Sequence, residues 1–283
     1  MKAPLAEALP SNIVKSSNDE SATITVEGAR GNGRSLRRQV RNYLSVISAA
    51  QHGESLARWT RDVPLCAQVT GLPSGDNQLI LERLLQIATS IGVPTEPKDC
   101  TPNLDVVMTS QPDELLEAWS KRDPWIFDSQ IDYGGKLIQA FIHASTPVRS
   151  WYNVAFKGFG PFDNVPGQPV AMLSGTPSAP ALGSKVRRDL WSVIIVVDAG
   201  RAREVSTDQL AAYLAMVGLA QIRFDAKLDD LPTILQLFAD SKKAPLELSL
   251  WDRAFLKSLY GIGGSDLTQQ FAIAGFMVNE VSQ

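Results

Sequence analysis

An apolar segment that directly follows the strongest predicted strand most constrains how this chain can fold. The strand is predicted over 189–198, because its unbroken β-branched core is typical of a strand that is buried on both faces of a sheet. A helix is predicted over 205–221, since this segment opens with a Ser or Thr cap and continues in strong helix formers. Apolar residues surround nearly the whole helix. We therefore expect a central helix that is buried on most sides.

Within this helix, Gly218 follows Ala211, Ala212 and Ala215 and precedes Gln221. The order and spacing resemble the active-site helix of metzincin and related zincin peptidases, whose motif is H-E-x-x-H-x-x-G-x-x-H. With Gly218 on the motif's glycine, the other four residues stand where His, Glu, His and His would be. The resemblance implies a degenerate metal site without zinc ligands or general base. It also implies a left-handed backbone at Gly218, where the helix would turn away.

Two later segments are similar to the same family. Residues 231–238 look like the turn that carries the family's methionine, with Leu235 in its place. Residues 248–261 are similar to the start of the last zincin helix, where we expect Asp252 to anchor the N terminus rather than act as a general acid. The family resemblance implies an α+β fold with a zincin-like mixed sheet packed by helices, a central buried helix and a helical C-terminal subdomain. A buried helix, a turn and a capped last helix also occur in many other α+β domains.

The rest of the chain is divided by composition and hydrophobic period. Residues 1–34 are predicted to be a disordered lead-in, with one alternating run over 22–28 that could form an edge strand. Residues 35–222 are predicted to form a subdomain of sheet and helices, and 223–283 a helical subdomain of the same domain. Helices are predicted over 36–52 with Ser35 as cap, over 77–91, and over 110–121. Further strands are predicted over 103–109, 136–142 and 150–156, and an ordered loop over 159–185.

The two cysteines, Cys66 and Cys100, lie in loops flanked by prolines and bracket one predicted helix. This placement favours a disulfide between the two ends of a helical excursion, with two unrelated thiols as the alternative. A disulfide is typical of an oxidising compartment, which predicts a periplasmic or secreted protein. The first residues lack the apolar core of a signal peptide. The expectation is therefore either a sequence from which the leader was removed or a cytoplasmic protein.

Only two histidines occur, His52 and His143, so a zinc site of three histidines is excluded and no cofactor is expected. His143 is predicted to close a strand. No G-x-S-x-G turn is present, and Gly263-Gly264-Ser265 has no evident base.

Charge and hydropathy limit the partners. The net charge is −3, and the arginines clustered near residue 37 have no interleaved aromatic platform, so nucleic acid is not an expected partner. No apolar run is long enough to cross a membrane. We expect a non-catalytic, metallopeptidase-like protein that binds a peptide or an envelope component in a residual groove, for example as a strand added to the sheet edge. The alternatives are a hydrolase with an unrelated, non-zinc mechanism and a structural envelope protein. The ligand and the oligomeric state stay open.

Overall fold

The computed structural model describes residues 33–50, 55–97, 99–127, 136–158, 186–223, 226, 228, 231–262 and 266–282. In these residues a mixed sheet is packed by helices, which confirms the predicted α+β class. The strands are β1 (Ala67–Thr70), β2 (Leu104–Thr109), β3 (Val148–Gly158) and β4 (Val186–Asp198). The α-helices are α1 (Gly33–Ile47), α2 (Ser74–Ser90), α3 (Pro112–Arg122), α4 (Lys136–Ile142), α5 (Ala199–Ala202), α6 (Thr207–Leu219), α7 (Leu250–Gly261) and α8 (Asp266–Val281). Two 3-10 helices span Pro124–Phe127 and Ile234–Phe238.

The sheet has the strand order β1-β2-β4-β3. Strands β1, β2 and β4 run parallel, whereas β3 runs antiparallel to β4 at the end of the sheet. Among the described residues, β3 pairs with a strand on one side only. Within the described part of the chain it is therefore the edge strand of the sheet.

Side chains of β2 and β4 alternate between two apolar layers. Leu104, Val106, Val193 and Ile195 belong to the main core, which also contains α2 and α6. Ile194 and Val196 point to the opposite face, into a smaller cluster with residues of α3, α4, β3 and the Pro124–Phe127 turn. The predicted burial of β4 on both faces is confirmed.

The central helix α6 is also confirmed, and its ends are held by side chains. At the N terminus, Ser206 and Gln209 form a capping box. At the C terminus, three aromatic side chains donate to carbonyl oxygens that have no partner within the helix. Tyr152 Oη bonds the Val217 carbonyl at 2.8 Å, Trp59 Nε1 the Gly218 carbonyl at 2.9 Å, and Tyr260 Oη the Leu219 carbonyl at 2.6 Å. These donors connect α6 to β3, to the segment before β1, and to α7.

Asp252 anchors the N terminus of α7, as predicted, through a capping box with Ser249. It is fully buried, and its carboxylate also accepts hydrogen bonds from Tyr43 of α1, Thr233 and the Ile234 amide. Helix α1 in addition packs against α8. The first described helix of the chain therefore joins the last two in one layer.

Three local predictions are wrong. Residues 136–142 form α4 rather than a strand, and His143 lies in the turn after it; a short apolar run does not distinguish a helix from a strand by period alone. Helix α1 begins at Gly33, so Ser35 is not its cap and residues 33 and 34 are not part of a disordered lead-in. It ends at Ile47 instead of continuing to residue 52, because Ser48 pairs with Ile222.

The disulfide between Cys66 and Cys100 is confirmed, with its Cα atoms 6.1 Å apart. It joins the start of β1 to the loop that precedes β2. The predictions for residues 1–32, the loop 159–185, His52 and the Gly263-Gly264-Ser265 segment lie outside the described residues.

Candidate functional site

A cavity of about 280 Å³ lies between the start of edge strand β3, one face of α6, and the Ile234–Phe238 turn. Its floor is formed mainly by apolar side chains of α6 and of the segments that follow it. Two arginines and several hydroxyl groups complete the wall. The lining residues are Ser145, Thr146, Pro147, Val148, Ser150, Arg201, Tyr213, Val217, Ile222, Arg223, Ala226, Leu228, Leu235, Phe238 and Ala239.

The register of β3 determines which of its backbone groups bond β4 and which point away from it. In antiparallel pairs, residues alternately bond the partner strand and point away from it. The amide of Asp198 donates to the carbonyl of Pro147, which lies opposite it in the register. The N–H and C=O groups of Val148, Ser150 and Tyr152 therefore point away from β4. Val148 and Ser150 are also in the cavity wall.

Helix α6 contributes Tyr213 and Val217, one turn apart on the same face. The ring of Tyr213 packs edge-on against Phe238, with 5.1 Å between ring centroids. Burial raises the pKa of Tyr213 above the ordinary value of a tyrosine, and the neighbouring Tyr152 raises it further. Its hydroxyl stays protonated at neutral pH, so it can both donate and accept a hydrogen bond.

The wall of the cavity is fixed by a contact between β3 and α6. Tyr152 Oη donates to the Val217 carbonyl and accepts from the Ile222 amide at 3.2 Å. Burial raises the pKa of Tyr152 to about 12, although hydrogen bonds from Ser150 and the Ile222 amide act to lower it. The edge strand and the helix end thus hold one another at a defined separation.

The charged groups in the cavity wall are two arginines. Arg201 donates to the Ser145 carbonyl at 2.5 Å, which holds its guanidinium at the rim beside the start of β3. The backbone of Arg223 is fixed by a 2.8 Å bond from its amide to the Ile47 carbonyl. No Asp, Glu, His or Cys is present among the described residues that line the cavity. The described part of the wall therefore contains two arginines and no carboxylate or imidazole that could act as a base.

The residues aligned with the zincin motif lie elsewhere. Ala211, Ala212 and Ala215 are in the main core with at most 1% of their surface exposed. Gln221 is 9% exposed, and its Oε1 has no hydrogen-bond partner among the described residues. None of the four lines the cavity, whereas Leu235, assigned to the family's methionine turn, does.

The predicted conformation of Gly218 is wrong. Its φ is not positive, and it lies inside α6, which ends one residue later at Leu219. A Cβ atom at this position would lie 3.0 Å from Leu104 Cδ2 and 3.5 Å from Ile195 Cδ1. A larger residue here would require the Leu104 side chain to shift by a few tenths of an ångström, so glycine suits the close contact between the helix and the sheet. The reason for setting the motif's glycine at Gly218 is lost.

Sequence reasoning missed Tyr213, Val217 and Arg223 as site residues. The spacing of four between the first two was visible, but α6 is apolar on all sides, so its period does not reveal which face meets a cavity. Among the described residues no group of three His, Cys, Asp or Glu side chains could hold a metal ion. No helix in the described part of the chain is long and apolar enough to cross a membrane. Comparison of the chain with family models, curated proteins and solved structures finds no match.

Proposed function

We propose that this protein is a non-catalytic, metallopeptidase-like binding protein that takes up an extended peptide of an envelope protein along the outer edge of β3. The observation that carries the proposal is the position of the cavity. It lies beside β3, whose N–H and C=O groups at Val148, Ser150 and Tyr152 point away from β4, and its described lining carries neither carboxylate nor imidazole.

The edge strand supplies the first half of the recognition. An added peptide strand can bond the outward N–H and C=O groups of Val148, Ser150 and Tyr152, and main-chain bonds of this kind depend little on the peptide's sequence. Alternate side chains of the bound strand then point to the α6 side.

The cavity supplies the second half. Its volume suits one large apolar side chain rather than a complete small-molecule ligand, and Val217, Leu235 and Phe238 provide an apolar floor. Arg201, whose guanidinium is held at the rim, adds positive charge beside it. We therefore expect the preferred peptides to combine a bulky apolar residue with a neighbouring acidic residue.

The metallopeptidase likeness gains support when the motif is moved by two residues along α6. The three ligand positions then fall on Tyr213, Val217 and Arg223, and all three line the cavity together with Leu235. The position of the general base falls on Leu214, which is fully buried, and that of the motif's glycine on Ala220. In this register the zinc ligands and the base are replaced by residues that cannot perform their chemistry. The groove would serve binding alone.

A displayed library of random peptides, selected on the purified full chain, tests the proposal. The informative variant is Ala239→Trp, because Ala239 is exposed at the cavity and an indole there would fill the space without displacing core residues. The matched control is Ala239→Ser. Selected peptides should bind the wild type and the Ser variant alike and lose at least tenfold in affinity for the Trp variant. Equal binding to all three proteins would place the peptide site elsewhere.

A further inference from the structure

The exposed side of the last helix, α8, carries four apolar residues, followed by the exposed polar residue Asn279. Its inner side packs Ile273 and Met277 into the core. On the outer side Phe271 is 75% exposed and Phe276 is 40% exposed, with Ala272 and Gly275 exposed beside them. A solvated helix normally carries charged residues on its outer face. The apolar face of α8, formed by these four residues, therefore requires a partner.

The helix that packs against α8 carries an exposed basic strip. Arg34, Arg37, Arg38 and Arg41 of α1 are separated by three, one and three residues, the spacing of a single helical face. All four are exposed, and none forms an ion pair with a described residue. Helix α1 contains no acidic residue, although the whole chain has a net charge of −3. Helix α1 thus carries a local excess of positive charge on an acidic protein.

We infer that α1 and α8 together dock this protein onto the surface of an anionic lipid bilayer. The charge complementarity identifies this partner, since phosphate headgroups match the basic strip and the boundary below them accepts aromatic side chains. The two phenylalanines would enter this boundary while the four arginines contact the headgroups. The proposed contact is peripheral and uses the exposed side chains of α1 and α8. This inference does not depend on the proposed peptide groove.

Vesicle flotation with the full chain tests the inference. One set of vesicles contains equal parts of phosphatidylglycerol and phosphatidylcholine, and the other contains phosphatidylcholine alone. The wild type should float with the anionic vesicles and stay behind with the neutral ones. Each arginine near the surface is worth about a fivefold change in partitioning, so replacing all four by Gln should abolish flotation.

Two pairs of variants test whether flotation depends on the α1 and α8 residues themselves or only on the protein's total charge and exposed apolar area. Phe271→Ser with Phe276→Ser should weaken flotation at least tenfold, whereas Leu79→Ser with Leu246→Ser, two leucines exposed elsewhere, should not. Replacing exposed Arg61, Arg122, Arg203 and Lys242 by Gln removes the same charge as the α1 variant and should preserve flotation.

Three results would overturn the inference. The first is a wild type that ignores anionic vesicles, and the second is flotation that the control variants reduce as much as the test variants do. The third is a dimer in analytical ultracentrifugation that Phe271→Ser dissociates while vesicle binding is absent. That last result would assign the apolar face of α8 to a second copy of the chain.

Discussion

Tyr152 and Val217 are joined by a 2.8 Å hydrogen bond from the tyrosine hydroxyl to the valine carbonyl, across 65 positions of the sequence. The bond connects the edge strand to the end of the central helix, and the same hydroxyl accepts from the Ile222 amide. Tyr152, which remains protonated at neutral pH, therefore fixes the β3 wall of the cavity relative to the α6 wall.

Replacing Tyr152 by Phe removes this connection and leaves the Val217 carbonyl and the Ile222 amide without their partner. We expect a loss of about 1–3 kcal/mol in the free energy of unfolding, because buried polar groups without hydrogen bonds are costly. Urea unfolding followed by circular dichroism measures it. Tyr213→Phe is the matched control, since no hydrogen bond of its hydroxyl occurs among the described residues, and it should change stability little. An equal loss in both variants would contradict the role given to Tyr152.

Alkaline pH should unfold the protein through its tyrosines. Burial raises the pKa of four of them above the ordinary value, namely Tyr43, Tyr152, Tyr213 and Tyr260. Each therefore contributes stability that is fully present below about pH 10 and is lost as pH rises through its folded pKa, which is about 12 for Tyr152. Tyrosinate absorbance and circular dichroism, recorded together, should change in one step above pH 10. In denaturant all five tyrosines should titrate near pH 10. Four tyrosines that ionise near pH 10 in a folded protein would contradict the burial described.

The disulfide should add stability without being essential to the fold. The bridge spans 34 positions, and closing a loop of that length is worth roughly 4 kcal/mol in the chain-entropy model. The double variant Cys66→Ala and Cys100→Ala should unfold at lower urea concentration with an unchanged far-UV spectrum. The wild type under reducing conditions should behave in the same way. A midpoint that does not move would show that the bridge contributes nothing.

The register of the metallopeptidase likeness can be tested with zinc. A triple variant places three imidazoles at the cavity with the spacing of the zincin motif: Tyr213→His, Val217→His and Arg223→His. It should bind zinc stoichiometrically. The comparison variant is Ala211→His, Ala215→His and Gln221→His. It forces two imidazoles into a packed core, so it should lose stability and bind no zinc.

Elemental analysis after dialysis, with unfolding curves for both variants, provides the measurement. The wild type should carry no stoichiometric zinc. Zinc in the wild type would contradict the non-catalytic assignment. Zinc in a well-folded comparison variant, but not in the first, would restore the register based on Gly218.

Local signals in the sequence were sufficient for much of the fold. The β-branched run of β4 predicted burial on both faces, and segment 248–261 predicted a last helix whose N terminus is anchored by Asp252. The placement of the two cysteines favoured a disulfide over two unrelated thiols, and the bridge is present. The signals for β4 and for the start of α7 each lie within a short segment. Each of the two cysteines has only one other cysteine with which it can pair.

The site was less predictable because it depends on contacts between distant segments. Gly218 was interpreted as a turn residue. In the structure it lies within α6, where the absence of a side chain leaves room for Leu104 of β2. Helix α6 is apolar all round, so hydrophobic period could not tell its cavity face from its core face. The capping of that helix by Trp59 and Tyr260 likewise joins parts of the chain that no local pattern relates.

Recognition of a peptide at β3 is tested most directly by changing the backbone of that strand. The N–H of Ser150 points away from β4, so Ser150→Pro removes a donor for an added peptide strand while sparing the bonds within the sheet. Ser150→Ala loses the same hydroxyl and keeps the N–H. The account predicts that a peptide selected on the wild type binds the Ala variant with similar affinity and the Pro variant at least tenfold more weakly, both variants being folded. Equal binding to a folded Pro variant would contradict recognition at the edge of β3.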